Sequence, residues 1–335
     1  MARILLLSVD DNLTEYEPFK HFSVSALRAS AGVDAFGIHQ VTEDPEAADV
    51  ILFAETGLCG LFAERVRVHP LYRKYPEKCF LFYWYDTARP VLPGLYASLR
   101  KQDYSPEHAR TGFHLVPENP YVGYRPLTGR ERYLAAFVGS ANTYPLRKRL
   151  FEFSRPDIYL EDTSKDSYRI RYQGTLEEKE PYWKRYADSM ADAMFSLCPR
   201  GHGSGTIRLY ESMKMGRACI ILSDEWVPNE GVDWESFSIR VPEADVAGVP
   251  DLLDGLRHRT KKMGEHARQE WEKWFSEKVR FHHVAKMCVE MKSMRKIHGR
   301  LRRYYHLRHL LRPSNFRLYM ISKKLLYQDH HRIFW

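Results

Sequence analysis

Short apolar runs bounded by polar or turn residues recur along the first hundred positions. Arg3 to Val9, Ala48 to Ala54 and Cys79 to Tyr85 are each of strand length, too short for a buried helix, and lack the alternation of a sheet wetted on one face. They predict strands of a parallel sheet covered on both sides. Each run ends in acid: Asp10 and Asp11, then Glu55, then Asp86. The same rhythm returns with Tyr133 to Ser140 (YLAAFVGS) and with Phe195 to Cys198, where Pro199 stops the strand. Ile207, Tyr210 and Lys214 then fall at helical spacing, with Leu209 and Met213 on an adjoining face, until Gly216 offers a C-terminal cap. A further apolar run, Ala218 to Leu222, follows.

Alternating strands and helices predict an α/β fold of two Rossmann-like domains facing a cleft. Val116 to Gly129 holds three prolines and two glycines and reads as the linker. The expected units are 1–122 and 130–290, with a tail over 291–335. Arg155 to Gly174 has no clear period and reads as a surface insertion near the cleft. At 335 residues, with 44% hydrophobic and 28% charged positions, the chain can fill two such cores.

Composition sets further limits. No apolar run approaches the roughly 20 residues of a membrane helix, and the opening stretch is too short and too soon acidic for a signal peptide. The expectation is a cytoplasmic chain, at most peripheral on the inner face of a membrane. The five cysteines, at 59, 79, 198, 219 and 288, form no CxxC pair and read as reduced core thiols. The tail carries 12 Lys and Arg against one acid, Asp329. Leucines and aromatics interleave with those charges, which fits basic amphipathic helices broken at Pro313. Docking on the first domain, contact with an anionic membrane surface and nucleic-acid binding are the three readings. The third has no nucleic-acid module to accompany it.

The candidate chemistry centres on Phe195 to Ser238. Gly201, Gly203 and Gly205 form a loop between strand and helix, Thr206 can cap that helix, and the helix's free N–H groups then face an anion. Arg200 and Arg208 add guanidinium forks suited to a diphosphate, and His202 is a candidate phosphate contact. Glu211, three residues after Arg208, can accept from a pair of ribose hydroxyls; an ordinary surface ion pair between Arg208 and Glu211 is the alternative. Asp224 opens an acidic turn reaching Asp233 that could lie over the ligand, in which Trp226 and nearby Trp234 read equally as packing residues. The histidine pairs lack Cys, Asp or Glu at ligand spacing, so no metal site is expected.

Taken together, Leu197 to Gly201 (LCPRG), Thr206, Arg208 to Glu211 (RLYE), Gly216 to Asp224 (GRACIILSD) and Asp233 to Ser238 (DWESFS) resemble the C-terminal half of exostosin-like glycosyltransferases. Thr206 stands where serine is usual, which keeps the hydroxyl. Arg217-Ala218-Cys219 replaces the usual small-residue and proline run. Tyr133 to Ser140 resembles the first strand of the same half, with Gly139 in its closing turn, and places Arg147 where the family often faces donor phosphates.

The resemblance implies a GT-B enzyme that transfers a sugar, with inversion, from a UDP-linked donor to a glycan or lipid-linked acceptor in polysaccharide biosynthesis. It implies no cofactor beyond that donor. No DxD motif is present, so arginines and a helix terminus are expected to offset the diphosphate. An inverting transfer needs a base, for which Asp86, Glu55 and Asp10 are the candidates. The rivals are a catalytically inactive nucleotide-sugar-binding partner and a basic nucleic-acid-binding protein acting through the tail.

Overall fold

The computed structural model describes residues 1–9, 22–55, 59–60, 62–86, 89–295, 304–313, 315–317 and 320. Its first unit runs β1 (Arg3–Leu7), α1 (Phe22–Gly32), β2 (Gln40–Val41), β3 (Val50–Glu55), α2 (Glu64–Val68), α3 (Pro70–Lys74), β4 (Cys79–Tyr83), β5 (Gly94–Tyr96) and β6 (Ala109–Thr111). These strands form one parallel sheet in the order β2-β1-β3-β4-β5-β6. Every residue of β3 and β4 is buried, as expected of parallel strands covered on both faces.

The second unit contains β7 (Tyr133–Gly139), α4 (Pro145–Leu150), β8 (Ile158–Asp162), α5 (Ser167–Gln173), α6 (Leu176–Ala191), β9 (Ala193–Pro199), α7 (Ile207–Met215), β10 (Ala218–Leu222), β11 (Ser238–Arg240), α8 (Val249–Leu256) and α9 (Thr260–Trp274). Its parallel sheet is ordered β11-β10-β9-β7-β8. The α/β class with two parallel sheets is therefore as the hydrophobic pattern predicts. The stretch from Arg155 to Gly174 is not an insertion: it supplies β8 and α5. β8 is the edge strand beside β7 and only Ile158 within it is fully buried, so its apolar signal is weak.

Helix α10 (Glu277–Met294) crosses back to the first unit. Phe281, Val284, Ala285, Cys288 and Met291 join a core with Val24 and Leu27 of α1 and with Val50, Leu52, Phe80 and Phe82 of the first sheet. Ser30 ties the crossing, donating to Glu277 O at 2.5 Å and accepting from Phe281 N at 3.0 Å. The boundary expected at 290 falls inside this helix. Leu209, Tyr210 and Met213 of α7 belong to the same cluster, so apolar packing is continuous from one sheet to the other.

Polar contacts tie the units as well. Lys101 N donates to Glu225 O at 3.0 Å, and Asn229 Nδ2 donates to the carbonyls of Thr111 and Gly112 at 3.1 and 2.9 Å. Helix α11 (Tyr305–Leu310) docks on the first unit through Leu310, which enters the cluster of Ile51, Phe53 and Leu81. Most of 291–335 beyond α10 lies outside the described residues. No helix among the described residues is long and apolar enough to cross a membrane.

Candidate functional site

The loop after β9 does less as a bare anion cradle than as a joint. A Cβ on Gly203 would stand 2.3 Å from Ser98 Oγ and 2.9 Å from Asp86 O, and one on Gly205 would stand 2.7 Å from Ala97 O. Both glycines admit first-unit backbone and side chains rather than open space. Gly201 instead faces Arg147, whose Nη2 would be 3.3 Å from its Cβ. His202, between them, is exposed, and close enough to Asp86 to favour its ionised form.

Helix α7 begins at the end of this loop. Thr206 is extended at its N-cap position, but its hydroxyl makes no capping bond, contrary to the expected role. Arg208, in the first turn, is 5% exposed. It lies between the rings of Phe137 and Tyr186, 4.8 and 4.6 Å from their centroids, and donates to Val138 O. Tyr186, from α6, donates through Oη to Glu211 Oε2 at 2.5 Å. Burial holds the phenol well above its ordinary range, so it stays a donor. No ion pair joins Arg208 to Glu211 among the described residues; a tyrosine links them instead.

The other arginines are engaged in different ways. Arg147 donates to Arg200 O at 2.8 Å, Ser140 O at 3.2 Å and Pro199 O at 3.2 Å, bracing the turns after β7 and β9. Burial first, and Arg208 second, pull its guanidinium down to about 10. Gly139, at the end of β7, has Arg147 Nη1 3.5 Å from its Cβ position. Arg200 is tied up with carboxylates, at 3.0 Å from Glu225 and 3.6 Å from Glu243, and stacks on Tyr144. Asp224 is exposed and exchanges bonds with Glu243, each backbone N–H donating to the other's carboxylate. Trp226 and Trp234 are buried against each other edge to face at 4.9 Å, and are packing residues.

The candidate bases separate. Asp10 lies outside the described residues. Glu55 is fully buried and accepts from Ser8 Oγ at 2.9 Å and Val9 N at 2.8 Å, anchoring the chain after β1 instead of opening on a cleft. Asp86 keeps a side chain 42% exposed beside the glycine loop. It accepts from Ser98 Oγ at 3.3 Å and stands 3.7 Å from His114 Nε2. Burial works against its charge, but His114, Ser98 and His202 outweigh it and hold the carboxyl below its usual range.

A pocket beside α7 is lined by Glu211, Ile207, Tyr210 and Lys214 on one side and by His114, Glu118, Trp271 and Phe275 on others. Ser98, His114 and Tyr186 complete the arrangement and were not marked by sequence motifs. Among the described residues, no group of three His, Cys, Asp or Glu side chains could hold a metal ion.

Residues 97–256, which span the glycine loop, Arg147, Tyr186 and α7, match the exostosin GT47 domain family. The chain thus carries a region similar to the exostosin GT47 domain, over just under half of its length. The chain is 33% identical over 158 residues to an exostosin-1 homolog of Caenorhabditis elegans, covering 44% of this chain and 41% of that protein. It is 27% identical over 165 residues to exostosin-1 of Drosophila melanogaster, covering 45% of this chain and 22% of that protein. The chain thus spans less than half the length of either relative. Among solved structures, TarM aligns over 72% of this chain and 54% of its own, with a TM-score of 0.44 and 10% identity.

Proposed function

We propose that this chain transfers a sugar from a nucleotide-sugar donor, UDP-linked, to a glycan or lipid-linked glycan acceptor, with inversion at the anomeric carbon. The observation that carries the reading is the Arg208–Tyr186–Glu211 series at the start of α7, which follows a glycine loop packed against Ser98 and the Asp86 carbonyl of the first unit. Glu211 receives the ribose hydroxyls, its carboxylate oriented by the Tyr186 hydroxyl. The diphosphate lies at the N-terminal end of α7, where Arg147, Arg208 and the helix terminus meet the charge that grows as it leaves. The acceptor hydroxyl approaches from the first unit, loses its proton to a base in the Asp86 neighbourhood and attacks the anomeric carbon from the face opposite the departing phosphate. Arg200 keeps the acidic turn folded and does not touch the donor.

Thermal unfolding of the wild type and Glu211→Ala with UDP, GDP and CMP tests the donor site. A nucleotide at about 100 times its dissociation constant stabilises by about 2.7 kcal/mol. UDP is expected to raise the melting temperature of the wild type and not of Glu211→Ala. No shift with any nucleotide would refute the donor site. Binding without turnover of any UDP-sugar would favour the inactive-partner reading.

A further inference from the structure

His114 lies three residues beyond β6 and joins two groups that the motifs kept apart. Its Nε2 is directed at Asp86 Oδ1. Its Cε1 lies 3.5 Å from the Cβ position of Gly205, at the foot of the glycine loop. Its ring lines the pocket that Glu211 also lines. The side chain is only 8% exposed, and Nδ1 has no hydrogen-bond partner. A buried ring nitrogen left unpaired costs free energy that a ligand hydroxyl would recover.

The charge on Asp86 decides what Nδ1 can do. A carboxylate held ionised beside Nε2 favours the tautomer with its proton on Nε2, which leaves the Nδ1 lone pair free to accept. Asp86 itself is a poor proton acceptor near neutrality, since its neighbours hold its acidity high. The separation of 3.7 Å is of the kind that shortens once substrate closes a site.

Resting on the glycosyltransferase reading, we propose that His114 is the catalytic base of the transfer and Asp86 its positioning residue. The acceptor O–H bond breaks and its proton moves to Nδ1. The oxygen electron pair forms the new bond to the anomeric carbon, and the electrons of the old carbon–oxygen bond leave with the nucleoside diphosphate. The imidazolium is stabilised by the Asp86 carboxylate and returns its proton to solvent.

The test measures UDP release from UDP-glucose, UDP-galactose, UDP-N-acetylglucosamine and UDP-glucuronic acid, with the thermal shift by UDP measured in parallel. His114→Gln is expected to keep the UDP-induced shift and to lose about 10²- to 10⁴-fold in turnover. His114→Ala should regain part of that loss when imidazole is added. Asp86→Asn should also slow turnover, and the double variant should lose no more than His114→Ala alone. Turnover of His114→Gln within about threefold of wild type would overturn the assignment. So would loss of its UDP shift, which would mark a donor contact, or failure of imidazole rescue together with additive losses. A wild type that binds no UDP and releases none removes the glycosyltransferase reading and this inference together.

Discussion

At the scale of single residues, the site relies on a cation buried without a carboxylate partner and on a phenol that orients a carboxylate. Arg208 has two aromatic faces and a carbonyl for partners, and Tyr186 hands its hydroxyl to Glu211. Tyr186→Phe removes one hydrogen bond and leaves the ring under Arg208, so it is expected to cost about 1 kcal/mol of stability. It also leaves Glu211 without its orienting donor. UDP affinity should therefore fall by about five- to tenfold, read by titration calorimetry, and an unchanged affinity would separate Glu211 from the ribose. Gly203→Ala acts on the joint instead. Its Cβ meets Ser98 Oγ and the Asp86 carbonyl at distances real side chains do not adopt, so one unit must move away from the other. A loss of about 1–3 kcal/mol in urea unfolding is expected.

At the scale of elements, Arg217 explains how the second sheet tolerates a long basic side chain where the family resemblance has small residues and proline. It is 1% exposed, and burial pulls its guanidinium down to about 10. Its N–H groups donate to Met190 O and Ala191 O at the end of α6 and to Met215 O and Gly216 O at the end of α7. A further bond reaches Arg125 O in the linker at 2.6 Å. One side chain thus satisfies carbonyls that two helix ends leave over, and brings positive charge to both negative dipole ends. Arg217→Met should cost about 2–5 kcal/mol in chemical denaturation, far more than an exposed arginine would. The strands that sequence made legible, β1, β3, β4, β7, β9 and β10, are those whose long apolar runs record burial on both faces. β2, β5, β6 and β11 are two or three residues long and carry no period to read. The same brevity hid His114, because nothing in the pattern marks Ala109 to Thr111 as a strand whose end faces the loop. Glu211 was legible by its spacing from Arg208, whereas its partner Tyr186 lies 25 positions upstream on another helix.

At the scale of the whole molecule, the chain closes on itself twice, through α10 and through α11. The second closure has a titratable element. His309 of α11 stacks flat on His108 of the first unit, with ring centroids 3.5 Å apart, and Asn315 Nδ2 donates to His309 O at 2.9 Å. Burial, before anything else, holds both imidazoles neutral. It pulls His309 down to about 3, with Arg312 and Arg308 adding to the effect. His108 is held well below its ordinary value by burial and by His309, against the bond it makes to Pro90 O, with Arg295 and Arg312 adding further repulsion. Both folded-state values lie below the unfolded value of about 6.5, so the docked state binds fewer protons than the released one. Docking is therefore at full strength above about pH 6.5 and weakens as the pH falls toward the folded values. Between about pH 7.5 and about pH 5 the loss is expected to be of the order of 1–3 kcal/mol. Hydrogen exchange at the α11 amides should accelerate over that interval beyond the change in intrinsic exchange rate. His108→Phe combined with His309→Phe keeps two stacked rings without protonation sites and should abolish the acceleration. If the double variant retains it, the pH dependence belongs to other contacts of the tail, and the stacked pair is packing alone.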